Sequence, residues 1–139
     1  MGLKERLDLY KALETARERP LVIYVTSARA NAAGLMAADA VGEILRQLEA
    51  LPQGSNALDL LIASHGGDAT VAWRIVSLIR ERVQNFSVLI PQAAFSAATL
   101  LALGADEIVM HPNGNLGPVD PQINVAGVIA PRFNLEFNP

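Results

Sequence analysis

The chain has 139 residues, a formal charge of -3, 51% hydrophobic and 18% charged residues, and few aromatics. That is one globular domain with a single core. It carries neither the basic patch nor the aromatic platform that nucleic-acid binding needs. It has no cysteine, which excludes disulfides, thiolate catalysis and cysteine-ligated metals.

In chain order, residues 3–19 read as a charged amphipathic helix stopped by Pro20. Residues 21–26, Leu-Val-Ile-Tyr-Val-Thr, are rich in β-branched side chains and predict a strand buried on both faces. An Ala/Gly loop over residues 27–34 follows. Val41, Ile44, Leu45, Leu48 and Leu51 then recur at helical spacing up to the breaker at Pro52. A second strand is expected over residues 58–63, and Ala72, Ile75, Val76, Ile79 and Val83 mark the next helix. Residues 86–90 predict a third strand, a short apolar helix follows Ser96, and residues 107–110 predict a fourth strand. This alternation argues for a mostly parallel sheet covered by helices. From Asn113 onward proline and glycine dominate, and regular structure is doubtful there. The longest apolar run, residues 93–105, is too short to span a bilayer, and the N-terminus lacks a signal-peptide core. A cytoplasmic setting is the expectation.

In open parallel sheets ligands gather at the carboxyl ends of the strands. Three unusual sequences fall at such ends. Ser64-His-Gly-Gly-Asp68 follows the second strand, and its two glycines let backbone amides approach a ligand. Asp68 or Thr70 can cap the helix beyond. Pro91-Gln-Ala-Ala-Phe-Ser-Ala-Ala-Thr-Leu100 follows the third strand and places one hydroxyl, Ser96, at the first turn of a buried helix. Backbone N–H groups there have no helical partner and lie at the positive end of the helix dipole. Ser96 is thus either a small residue in a tightly packed helix or a nucleophile beside an oxyanion site. The third sequence, His111-Pro-Asn-Gly-Asn-Leu-Gly-Pro-Val-Asp-Pro-Gln122, follows the fourth strand.

These three segments resemble the serine dehydrogenase proteinase family, relatives of the Clp protease and of signal peptide peptidase A. The resemblance covers roughly residues 21–122. It implies an α/β fold of the ClpP/crotonase type, a spiral of ββα units, with peptidase activity and assembly into homo-oligomers. By the same resemblance Ser96 matches the nucleophile, and Gly66 and Gly67 match the turn whose amide faces the substrate carbonyl. The Ala97 amide would be the second oxyanion donor. Asp120 matches the acidic member of the catalytic set; otherwise it is a turn carboxylate accepting local amides. The implied partner is a peptide or protein substrate. No metal and no cofactor is expected.

A serine nucleophile needs a base. The lysines, Lys4 and Lys11, lie before the first core strand, which argues against a Ser–Lys pair. The histidines are His65, beside the glycine pair, and His111, at a strand end; each reads either as a candidate base or as a turn histidine. The resembled family carries its histidine beyond the aspartate, and residues 121–139 contain none. The expectation is therefore one domain truncated at its C-terminus, with a membrane association possible only in a longer form. The leading reading is a serine peptidase. Its rivals are a catalytically incomplete peptide-binding or assembly domain and a crotonase-type acyl-CoA enzyme.

Overall fold

A computed structural model describes residues 1–119, 122–125 and 128–131. Helix α1 (Leu3–Arg17) precedes strand β1 (Leu21–Val25), and α2 (Asp39–Glu49) leads to β2 (Ala57–Ala63). Next come α3 (Ala69–Arg82), β3 (Asn85–Ile90), the short β4 (Ala93–Ala94) and α4 (Ala97–Leu103). The chain continues through β5 (Glu107–Met110), β6 (Asn115–Leu116), β7 (Gln122–Val125) and β8 (Val128–Pro131). Strands β1, β2, β3 and β5 form a parallel sheet in that order. Each long strand feeds a short segment in a second parallel row. Met36 bridges Gly67, Ser64 bridges Ala94, and β4 pairs with β6. Long strand, short strand and helix together make the repeating ββα unit expected from the resemblance.

Alternation along the strands separates two faces. Leu58, Leu60, Ile62, Phe86, Val88 and Ile90 point to one face and are buried with Ile44, Leu48, Ile75, Ile79 and Leu101 from α2, α3 and α4. Full burial of one such side chain is worth about 1.5–3 kcal/mol. The other face is polar at one end. Asp59, Ser87 and Glu107 are register partners on adjacent strands. Arg17 of α1 reaches across them, with Nε 2.7 Å from Asp59 Oδ2 and Nη2 2.8 Å from Glu107 Oε2. Arg19 donates to the Ser87 hydroxyl, which in turn donates to Glu107. The Arg17 guanidinium, followed by the Ser87 hydroxyl, holds the Glu107 carboxyl below its ordinary range. Asp106 is depressed likewise by Arg80 and then by the Phe86 amide.

Two expectations need correction. Strand β1 is not buried on both faces: it lies at an edge of the sheet and only Val22 is buried. Its open side is partly closed by a side chain instead, since the Ile23 amide donates to Gln47 Oε1 at 3.4 Å. The Pro/Gly-rich stretch after Asn113 contains strands after all: β6 extends the short row, and β7 and β8 pair antiparallel. Among the described residues no helix is long and apolar enough to cross a membrane.

Candidate active site

The site is built where the short second row meets the N-terminal end of α4. Ser64 is 2% exposed and ties two turns together. Its amide donates to Ala93 O at 2.8 Å, and its carbonyl accepts the Phe95 amide at 3.0 Å. Its hydroxyl accepts the Gly66 amide at 3.1 Å and shares a 2.9 Å hydrogen bond with Thr26. The glycine turn is thereby pinned directly over the Ser96 turn.

The fit between them is tight. Gly66 has φ +95, and a Cβ there would stand 2.5 Å from Phe95 O, 2.8 Å from Ser96 Cβ and 3.1 Å from the Ala97 nitrogen. Only glycine allows that approach. Gly67, at φ +150, lies against the main chain of Met36, where a Cβ would collide with backbone atoms. Met36 donates to Gly66 O and accepts the Asp68 amide, so one edge of this segment is taken. Because successive peptide groups alternate in direction along an extended segment, the N–H and C=O of Gly67 point to the opposite edge. Among the described residues the Gly67 and Ala97 amides have no acceptor. Asp68 then caps α3, accepting the Thr70 amide at 2.7 Å.

Ser96 is half-buried and caps α4 in an unusual conformation, φ +53 and ψ −119. For a residue with a Cβ this costs roughly 1–3 kcal/mol and persists only where the surroundings over-determine it. Its carbonyl accepts the Leu100 amide, and Phe95 O accepts Ala98. Among the described residues its hydroxyl has no hydrogen-bond partner.

His65 is exposed, and its ring stacks on Phe95 with centroids 5.4 Å apart at 22°. Gly117 packs on the same Phe95 ring. The segment after β6 is therefore drawn to the residue preceding Ser96. His111 is exposed, and its Nδ1 accepts the Asn113 amide at 3.1 Å. It lines an apolar groove with Leu13, Leu61, Leu89 and Val109, on the sheet face away from the α2–α4 core. Asp120 lies outside the described residues. Lys4 and Lys11 are exposed on α1. Among the described residues no group of His, Asp and Glu could hold a metal ion.

The geometry thus joins a strained serine, a glycine turn and two amides that have no acceptor among the described residues. Residues 30–131 match the ClpP-like SDH-type serine proteinases. The chain belongs to that family. Two uncharacterized proteins of Methanocaldococcus jannaschii are 42% and 41% identical to it over 81 residues, 58% of this chain. That stretch is 27% and 28% of their own lengths. ClpP1 from Listeria monocytogenes shares the fold, with a TM-score of 0.55 at 20% identity, over 81% of this chain and 61% of its own. The family match spans all three motifs that carry the resemblance.

Sequence reasoning missed the supports of this candidate site: Thr26, Ser64, Phe95, Thr99 and Gly117. Thr99 offered a signal, being the second hydroxyl in an otherwise apolar run. Gly117 offered another, as a glycine where the chain must pass an aromatic ring. Neither reveals the contact between them, because Thr99 and Gly117 stand 18 residues apart along the chain.

Proposed function

We propose that this domain is a serine peptidase in which Ser96 attacks the carbonyl carbon of a peptide bond. The observation that carries the reading is the approach of Gly66 to Ser96, with the Gly67 and Ala97 amides lacking an acceptor among the described residues. Since the Gly66 amide is held by Ser64 Oγ, Gly67 supplies the donor of the glycine pair. As Ser96 Oγ bonds to the carbonyl carbon, the oxygen gains negative charge, and the two amides stabilise it. Loss of one such donor typically costs about 2.7–4 kcal/mol of transition-state stabilisation. The Ser96 proton passes to a base and then to the leaving amine, and water hydrolyses the resulting ester.

In this reading His65 is the base and Asp120 the acidic partner. Of the two histidines, His65 adjoins the glycine turn and stacks on the residue before Ser96, whereas the His111 ring nitrogen is engaged by its own turn. The substrate is an extended peptide, which the free N–H and C=O of Gly67 would pair with without reading side chains. Self-association into a homo-oligomer belongs to the same proposal, and a monomeric sedimentation profile would count against it. Labelling with a fluorophosphonate tests the nucleophile. Wild type should label and Ser96→Ala should not; equal labelling of the two removes the reading.

One observation favours a second reading. The Ser96 hydroxyl has no hydrogen-bonded base among the described residues. A domain that binds peptide without turnover would show saturable peptide binding, no labelling and no cleavage.

A further inference from the structure

The geometry points to Thr99 as the positioning residue that braces the Ser96 turn. This inference rests on the peptidase reading for its consequence in catalysis, though not for its structural content. Ser96 sits at φ +53, a backbone state that must be held from outside. Most ties on the turn are between main-chain groups: Phe95 to Ser64, Ala98 to Phe95 and Leu100 to Ser96. Thr99 is different. It is 5% exposed, stands three residues after Ser96, and reaches back across the turn to donate to Ala94 O at 2.6 Å.

The brace has a second anchor. The Gly117 amide donates to Thr99 Oγ1 at 3.2 Å and also to Ala94 O at 3.1 Å. The Gly117 carbonyl lies 3.2 Å from the same hydroxyl. One side chain therefore fastens the strand before the nucleophile, the first turn of α4 and the segment after β6 into a closed set of hydrogen bonds. Phe95 is enclosed by it, held on one side by Gly117. With Phe95 and Ala94 fixed, Ser96 cannot relax toward negative φ without breaking the Thr99 bond.

Valine at 99 tests this cleanly, since it keeps the branched shape and removes only the hydroxyl. Ala94 O would still accept the Gly117 amide, so no buried group is stranded and the fold should survive. Thr99→Val should slow fluorophosphonate labelling by about tenfold or more, because a misplacement near 1 Å can cost about a hundredfold. For a cleaved peptide, kcat should fall with KM little changed, and Thr99→Ser should restore the rate. NMR or a crystal structure of Thr99→Val should show Ser96 at negative φ, with positive φ regained in Thr99→Ser. Wild-type labelling by Thr99→Val, or an unaltered Ser96 backbone in it, overturns the inference. If wild type and Ser96→Ala label equally, the peptidase reading fails, and the Ser96 backbone angle alone still decides the brace.

Discussion

Gly66 and Ser96 are so close that a Cβ on the glycine would lie 2.8 Å from the Cβ of the serine. One residue opens the glycine pair after β2; the other caps α4 after β4. Their contact joins two ββα units into one candidate site, and it leaves no room for a side chain at position 66.

Gly66→Ala is accordingly expected to abolish fluorophosphonate labelling and to destabilise the fold by about 1–3 kcal/mol, the usual cost of overpacking. The φ of +95 adds strain for any residue with a Cβ. Thermal melts with parallel labelling check both halves. Labelling at the wild-type rate would mean that the turn can shift without disturbing Ser96.

If Ser96 is the nucleophile, its strained backbone predicts a trade between stability and activity. Ser96→Gly should stabilise the protein by about 1 kcal/mol, as relief of the positive-φ strain exceeds the extra entropy cost of glycine. Ser96→Ala, which retains a Cβ, should show no such gain. Both should be unlabelled. Denaturant midpoints of the two variants at equal m-value make the comparison.

His65→Gln should slow labelling by about a hundredfold or more, the scale of general-base catalysis, while His111→Gln should leave it unchanged. Equal rates for wild type and His65→Gln would assign the base to another group.

On the opposite face of the sheet, Arg17→Ala should destabilise by about 3–5 kcal/mol, because it leaves the buried Asp59 carboxylate with Arg19 only, at 3.6 Å. Adding Asp59→Leu should recover part of that loss, since a buried pair is often replaceable by apolar side chains. A double-mutant cycle measured by chemical denaturation checks the coupling.

The carboxyls of Asp106 and Glu107 are depressed in the folded state, chiefly by Arg80 and Arg17 respectively. A depressed carboxyl contributes stability above its unfolded value, about pH 4, and that contribution is lost as pH falls through the folded value. Stability should therefore decline on acidification below about pH 4–5. The decline should be shallower in Asp106→Asn, as melting temperatures across that range will show.

The long strands and helices were legible in the sequence because burial imposes period and run length: Leu58, Leu60 and Ile62 alternate, and Val41, Ile44 and Leu48 recur at helical spacing. The strands after Asn113 were not, since short segments rich in glycine and proline carry no hydrophobic period, and β6 owes its pairing to β4. Ser96 and the glycine pair were visible as motifs, and so was their membership in a ClpP-like family.

By itself, then, the sequence determined the order of the long strands and helices, the core faces and the residues worth suspecting, all of which follow from local chemistry and periodicity. Only the tertiary structure decided that β1 is an edge strand, that Gly67 is the free amide of its pair, and that Thr99 spans the Ser96 turn. Each of these depends on which distant backbone group comes within about 3 Å, and hydrogen bonding at that range is set by how the chain packs.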